Sequence, residues 1–220
     1  MINRKRALEL AAQVAQHIPC ESYERVHSFI LSRPEAKISI PRPEFWVGDH
    51  WFAIRRHHDA VTTDDILEVY FGSQDTGDEF LGYDRIDPRW HDAEGRDLGR
   101  WELTRAYVRP KFRGRNYSLF MVELVLALAR KNRANSVVAY PRHVAMLVTL
   151  LNYGFRTMDG SYDATLHRIL RQGKLWYARD PAHRRLYYAQ EFRPFIQEGS
   201  FIMEKRVKPT TLWEFLWQKI

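Results

Sequence analysis

The stretch Trp101–Lys131, WELTRAYV-RPKFRGRNYS-LFMVELVLALARK, decides the fold of this chain. Trp101–Val108 is rich in β-branched and aromatic residues, which is typical of a strand. The ten residues after it form a basic loop. Tyr117–Lys131 is apolar on most faces, which predicts a helix buried against a flat surface. The sequence therefore predicts a strand, a basic turn and a buried helix in direct succession.

The basic turn has the features of an anion-binding site. The first amides of a helix have no partner inside the helix and carry the positive end of its dipole. Backbone N–H groups that converge on one point bind phosphate. Arg113 and Arg115 add positive charge, and Gly114 lets the backbone approach a ligand closely. We therefore predict a phosphate site across Arg113–Ser118.

Helices and antiparallel strands are predicted before this stretch. Apolar residues at helical spacing predict helices over Arg4–Ile18 and Glu21–Leu31. Ile66–Gly72 and Glu79–Ile86 have strand composition, and the turn signal SQDTGD between them predicts a hairpin. Asp87–Gly99 is polar and rich in Gly and Asp, which favours a loop.

A strand–helix–strand pattern follows the buried helix. Ser136–Tyr140 is a short buried strand, and His143–Tyr153 is a helix that Gly154 ends. Further strands are predicted within Phe155–Leu170 and over Ser200–Val207. The whole order predicts an α/β fold in which a mixed, mostly antiparallel twisted sheet is flanked by helices.

The length of 220 residues suits one domain with one sizeable core. We predict a single domain over residues 1–207, with N-terminal helices at 1–34 and a basic, aromatic insert at 160–199. Residues 208–220 are expected to form a C-terminal helical tail.

Composition points to a soluble globular protein, with 45% hydrophobic and 28% charged residues. The single cysteine, Cys20, excludes an intramolecular disulfide and fits a reducing compartment, and we interpret it as structural. No secretory signal is recognised, and no apolar stretch reaches the roughly 18 residues of a bilayer span. The expected location is the cytoplasm. The histidines show no metal-ligand spacing, so no metal site is predicted.

The charge is uneven along the chain. The formal net charge is +7, and residues 165–220 contain eleven Lys and Arg against five Asp and Glu. A basic patch attracts anionic partners such as nucleic acid, an anionic membrane surface, a phosphorylated cofactor or an acidic carrier protein. Nucleic acid is disfavoured because the aromatic residues follow no recognised nucleic-acid motif. Peripheral membrane contact stays open, as does an ordinary solvated face.

Several segments in order resemble the GNAT acyltransferases. The "RG" of Arg113 and Gly114 matches the opening of the family motif that holds the pyrophosphate of coenzyme A. VVAYP, RHVAMLVTLLNYGFR and SFIMEKRV resemble the later strand, helix with closing "GF", and last strand of that family. Asn116 and Ser118 depart from the motif, where the family has glycine or alanine. Asn tolerates left-handed geometry, and Ser is able to cap a helix.

The resemblance implies a donor site for a pantetheine thioester, carried by coenzyme A or by the phosphopantetheine of an acyl carrier protein. A strand bulge, common in the family, is expected to free an amide near Val108 for the thioester carbonyl. The residues expected to contact the donor are Tyr107, Val108, Arg113, Gly114, Arg115, Asn116, Tyr117, Ser118 and His143.

A second set of residues resembles one branch of this family. Glu102 and Arg105, with Gly82 and Arg85 upstream, are similar to residues of acyl-homoserine-lactone synthases and long-chain N-acyl amino acid synthases. That branch typically draws acyl chains from acyl carrier protein. The resemblance implies that Arg85 and Arg105 hold the carboxylate of an acceptor or order the site. The basic C-terminal quarter suits an acidic carrier.

Glu102 is the candidate base. Thioester aminolysis needs a route for the amine proton, and a partly desolvated carboxylate with a raised pKa supplies one. The alternative is a buried ion pair between Glu102 and Arg105 or Arg85. Strict alternation along a strand would place Glu102 and Arg105 on opposite faces, and a β-bulge would re-aim one of them.

Two further roles are left open. Tyr153, on the helix before "GF", is a candidate acid for the leaving thiolate or a packing residue. The aromatic side chains of the 160–199 insert either line an acyl tunnel or pack the insert.

The predicted function is an N-acyltransferase that moves an acyl group from acyl carrier protein or acyl-CoA to a small amine, such as an amino acid. The first alternative is an acetyl-CoA-dependent N-acetyltransferase of a protein or small amine. The second is a GNAT-like binding module without catalysis.

Overall fold

The computed structural model describes residues 2–37, 40–59, 64–91, 97–197 and 201–207, with the side chains at 90, 91, 97 and 98 excepted. These residues form two compact units. The first contains the described residues up to 137 together with 206 and 207, and the second contains 138–205. The prediction of a single domain stays a prediction.

Three helices belong to the first unit. They are α1 (Arg4–Gln16), α2 (Tyr23–Ser32) and α3 (Tyr117–Lys131). Asn3 and Ser22 cap the first two, because each side-chain oxygen accepts a backbone N–H of the first turn. All three predicted helices are confirmed. α3 is buried along most of its length, as its apolar sequence requires.

Five strands of the first unit form an antiparallel sheet in chain order. They are β1 (Phe45–Val47), β2 (His50–His58), β3 (Asp65–Ser73), β4 (Glu79–His91) and β5 (Asp97–Val108). Each strand pairs with the next. A 3₁₀ turn at Gln74–Thr76 and Gly77 at φ +68° close the predicted β3–β4 hairpin.

The loop predicted over Asp87–Gly99 is wrong at both ends. β4 continues to His91 and β5 resumes at Asp97, and Trp90 faces Arg100 across the pair. Cross-strand pairing outweighs the turn-forming composition of these residues. Residues 92–96 lie outside the described part of the chain.

The two faces of this sheet differ in character. Phe52 and Phe71 face each other across β2 and β3, and both rings contact Phe120 of α3 at 5.7 and 5.3 Å. This side is the helix face. Because side chains alternate along a strand, the intervening residues point to the opposite side, which we call the polar face. It carries Glu68, Arg85, Asp87, Glu102 and Arg105.

β6 (Ser136–Ala139) follows α3, and it begins where the Asn135 amide donates to the Gly99 carbonyl at 2.7 Å. The second unit contains α4 (Val144–Asn152), β7 (Arg156–Thr157), α5 (Asp163–Trp176) and α6 (Pro181–Gln197). β7 pairs antiparallel with β8 (Met203–Arg206).

The strand predicted within Phe155–Leu170 is reduced to the two residues of β7. The strand ends at Thr157, whose amide and hydroxyl both donate to the Asp163 carboxylate. Asp163 is the first residue of α5. The 160–199 insert is a pair of helices, α5 and α6, as far as Gln197. The final strand is shorter than Ser200–Val207. The helical tail predicted at 208–220 falls outside the described residues.

The predicted fold class is confirmed: the chain has a mixed α/β fold with a mostly antiparallel sheet flanked by helices. None of its described helices combines the length and the apolarity that a bilayer span requires.

Candidate active site

A β-bulge in β5 brings the predicted base and one predicted arginine to the same face of the sheet. Arg85 faces Arg105 across the β4–β5 pair, but the next pair skips Thr104. Thr104 is the extra residue of this bulge, and its hydroxyl donates to the Arg85 carbonyl at 3.2 Å. Glu102 and Arg105 therefore share the polar face, as the predicted bulge requires.

The bulge lies four residues before Val108, so it does not itself free the Val108 amide. An amide near Val108 as the donor of a bond to the thioester carbonyl stays a prediction.

Glu102 lies directly opposite a second carboxylate. Asp87 is its register partner in β4 and is 7% exposed. Burial and, as the second cause, the nearby charge of Asp87 together raise the pKa of Glu102 to about 7. Burial likewise raises the pKa of Asp87 to about 7, against a bond from the Arg89 amide at 2.8 Å that lowers it. Both carboxyls therefore keep their protons to a higher pH than exposed carboxyls do, and the two titrations are coupled.

Glu102 forms no ion pair with either predicted arginine. Within the described ranges its carboxylate has no hydrogen-bond partner, and the alternative of a buried Glu102 ion pair is wrong. Arg85 pairs instead with Glu68 of β3, at 3.1 Å from Nε to Oε2. Glu68 is 1% exposed, and His57 Nδ1 lies 3.6 Å from the same oxygen.

Arg105 lies on the polar face beside the ring of Tyr83. Its guanidinium lies 5.9 Å from the ring centre of Tyr83, which stacks on Tyr107 at 5.2 Å. Arg105 is exposed, and none of the described carboxylates pairs with it. Arg85 lies over the same Tyr83 ring at 5.1 Å, but Glu68 already neutralises its charge. Arg85 is therefore held in place by Glu68, whereas Arg105 has no carboxylate partner among the described residues and is able to bind an anion.

Gly82 has a steric role in this strand pair. A Cβ at this position would lie 2.1 Å from the Tyr107 carbonyl oxygen, so only glycine lets β4 and β5 approach here. Gly82, the upstream glycine of the sequence resemblance, thus allows β4, which carries Arg85 and Asp87, to pack closely against β5.

The basic turn after β5 is open. Gly114 has φ +81°, and a Cβ built on it would have no atom within 4 Å. Arg113 and Arg115 are exposed, and neither has a carboxylate partner in the described segments. Arg113 Nε donates to the Val108 carbonyl at 3.1 Å, and Arg115 lies 5.4 Å from the ring centre of Phe112. Two unpaired cations therefore flank an accessible stretch of backbone.

The residues that depart from the family motif behave differently from one another. Asn116 adopts the left-handed conformation at φ +64°, as predicted, and is the N-cap residue of α3. Its side chain makes no capping bond and donates instead to the Ile2 carbonyl at 3.3 Å. Ser118, a residue type that is able to cap a helix, is instead the second residue of α3, since the N-cap position belongs to Asn116.

The N-terminus braces this turn from the other side, since the Ile2 amide donates to the Arg115 carbonyl at 3.0 Å. The Tyr117 ring is 7% exposed and packs on Phe71 at 5.5 Å. Only the backbone of Tyr117 is therefore placed to meet a donor.

The second unit holds the remaining predicted residues. His143 is the exposed N-cap residue of α4, with no side-chain capping bond. Tyr153 follows the last residue of α4 and is 4% exposed. The Tyr153 acid and the His143 donor contact stay predictions.

Sequence reasoning missed Asp87, Glu68 and His57. Asp87 belongs to the segment whose composition favours a loop, and Glu68 lies inside an apolar strand pattern. The available signal was the charge itself, since an acidic residue within ILEVYFG needs a buried partner. The described residues contain no group of three or more metal-ligating side chains placed to hold an ion.

The chain matches no family model and no curated protein. Among solved structures it is similar to the crystal structure of Rv2747 from Mycobacterium tuberculosis in complex with CoA and NLQ. That match has 12% identity and a TM-score of 0.35, and covers 93% of this chain and 95% of the other. A similarity of this size supports no assignment of function.

Proposed function

We propose that this protein is an N-acyltransferase that moves an acyl group from a pantetheine thioester to the amine of a small acceptor. The observation that carries the proposal is Glu102. It is a half-buried carboxyl without a hydrogen-bond partner among the described residues, and its pKa is raised to about 7. A base with a pKa near the working pH combines a useful ionised fraction with proton affinity.

The spacing along β5 supports a donor with a long arm. Val108 lies six residues after Glu102 along the strand, a distance of about 20 Å. The open, basic turn follows directly after Val108. A phosphate held at Arg113–Ser118 would reach the neighbourhood of Glu102 only through an extended, flexible link, and pantetheine is such a link.

The proposed reaction uses Glu102 as the proton acceptor. The carboxylate takes a proton from the acceptor amine, whose nitrogen attacks the thioester carbonyl. The C–S bond then breaks, an amide forms, and the thiolate leaves and is protonated. Tyr153 is the proposed source of that last proton. Arg105 would hold an anionic group of the acceptor, and Arg85, already neutralised by Glu68, would order the strand beside it.

The test is thiol release from acyl thioesters with a panel of amines, at acyl lengths from acetyl to long-chain. We expect Glu102→Gln to lower kcat by roughly 100-fold or more, as for loss of a general base. The exposed carboxylate variant Glu24→Gln is the matched control. Unchanged turnover in Glu102→Gln would refute the role of Glu102.

Donor competition separates the alternatives. Turnover with acetyl-CoA but not with long-chain acyl carrier protein would favour the acetyltransferase reading. Arg113→Gln with Arg115→Gln should raise KM for acyl-CoA and leave acyl-pantetheine unchanged, whereas Arg109→Gln, whose arginine already pairs with Glu79 at 3.8 Å, should have little effect. Thioester binding without turnover of any amine would favour a binding module.

A further inference from the structure

The connection between α5 and α6 exposes a group of large apolar side chains. Leu175 is 73% exposed, Leu186 is 66% and Trp176 is 59%. These are the most exposed large apolar residues in the described part of the chain. Such side chains normally become buried against something, so their grouping at one place calls for a partner.

The three residues lie at the same end of one helix pair. Only residues 177–180 connect α5 to α6, so the helices run antiparallel. The ring of Trp176 contacts that of Tyr187 at 5.8 Å, which joins the last turn of α5 to the first turns of α6. We call residues 168–187 the hairpin tip.

The hairpin tip is strongly cationic. It contains six Lys and Arg and one acidic residue, Asp180, which is 2.5 Å from His183 Nδ1. Arg168, Arg171 and Lys174 line an open cleft of about 400 Å³ along one face of α5. No carboxylate of the described residues pairs with any of these three.

Neighbouring like charges on one helix face repel one another, so these cations are stabilised when an anionic surface neutralises them. Apolar residues directly beside the cations add a second requirement. A nucleic acid would satisfy the cations and leave Leu175 and Leu186 in water. A bilayer with anionic headgroups satisfies both, because Leu enters the acyl boundary while Trp prefers the interface.

We propose that the hairpin tip binds the surface of anionic lipid bilayers. The cations contact lipid phosphates, while Leu175, Trp176 and Leu186 enter the headgroup region. The contact is peripheral, and it does not depend on the proposed acyltransferase activity.

The test is co-sedimentation of the full-length chain with vesicles. We expect binding to vesicles of equal parts phosphatidylglycerol and phosphatidylcholine, weak binding to phosphatidylcholine alone, and loss of binding as salt rises. Each removed cation should lower partitioning by about fivefold, so Arg171→Gln with Lys174→Gln should lower it by about 25-fold. Leu175→Ser with Trp176→Ser should lower it by about tenfold or more.

Leu31→Ser is the matched control, since Leu31 is an exposed leucine of α2 at 44% and lies outside the hairpin tip. Circular dichroism confirms that each variant is folded. Failure to bind anionic vesicles at low salt overturns the proposal. So does binding that the Leu175 and Trp176 substitutions leave unchanged, or tighter binding to duplex DNA that the apolar substitutions do not weaken.

Discussion

At the scale of single residues, the pairing of Glu102 with Asp87 matters most. The negative charge of Asp87 is the second cause, after burial, of the raised pKa of Glu102. Asp87→Asn removes this charge while keeping the side-chain shape. We expect the acid limb of the pH–rate profile to move to lower pH, by less than about one unit because burial remains.

The measurement is kcat against pH for the wild type and Asp87→Asn. The exposed variant Asp75→Asn serves as the control and should leave the profile in place. A profile that moves to higher pH in Asp87→Asn would contradict the arrangement.

Cys20, by contrast, is an ionisable group that lies outside the candidate site. It is fully buried, and its thiol lies 3.8 Å from the Leu128 carbonyl. Burial raises its pKa to about 11, so little thiolate exists at neutral pH. We expect a disulfide reagent to label Cys20 at pH 7.5 slowly in the folded protein and fully in denaturant. Fast labelling of the folded chain would show that this part of the core opens.

At the scale of elements, the β5 bulge places the site. The Thr104 hydroxyl holds it through the Arg85 carbonyl. Thr104→Val should cost about 1 kcal/mol in urea unfolding, the value of one such bond. It should also raise KM for the acceptor, because Arg105 loses its fixed position.

Thr149→Val is the matched control for the bulge. Thr149 also donates to a backbone carbonyl, that of Ala145 at 2.9 Å, but within α4. It should cost a similar amount in stability and leave KM unchanged. Equal effects of both substitutions on KM would argue against a positioning role for the bulge.

The approach of β4 to β5 at Gly82 is a second property of these elements. Gly82→Ala places a Cβ 2.1 Å from the Tyr107 carbonyl oxygen, and the backbone must move to relieve it. We expect a loss of about 3 kcal/mol or more in unfolding free energy. Gly77→Ala is the control, because nothing lies within 4 Å and only the φ of +68° is unfavourable. That control should cost about 1–2 kcal/mol.

At the scale of the whole molecule, buried carboxyls determine how stability depends on pH. Asp84 lies on the helix face between Val69 and Ala106, and it is fully buried. Neither of its oxygens has a hydrogen-bond partner among the described residues. Burial raises its pKa well above the ordinary value.

The sign of the effect follows from the raised pKa. Below about pH 4 Asp84 is protonated in both the folded and unfolded states, and it makes no difference to stability. As the pH rises further, the unfolded chain ionises first. Stability therefore falls by up to about 1.4 kcal/mol per pH unit for this group. Asp87 and Glu102 add to the fall up to about pH 7.

We expect Asp84→Asn to flatten this dependence. The measurement is urea unfolding between pH 5 and 8 for the wild type, Asp84→Asn and the exposed control Asp75→Asn. The wild type and the control should lose stability in parallel as the pH rises, and Asp84→Asn should lose less. A wild-type stability that increases with pH would contradict the burial of these acids.

Much of the architecture is local, and the sequence predicted it. Trp101–Lys131 carries its strand composition, turn chemistry and apolar helix within 31 residues, and all three elements formed where expected. The left-handed Asn116 belongs to the same local physics. The α5–α6 pair was missed because its buried stripe is short and its outer faces are basic, so no clear helical period appeared.

The sequence by itself determined the fold class, the basic turn and the candidate base. Only the tertiary structure decided which charges meet. Glu68, Arg85, Asp87 and Glu102 come from three strands, and the register between strands, including the one-residue shift at Thr104, sets their pairing. Register depends on contacts between distant parts of the chain, and a single-residue slip moves every side chain to the other face. For that reason local patterns predicted Glu102 but not Asp87 opposite it.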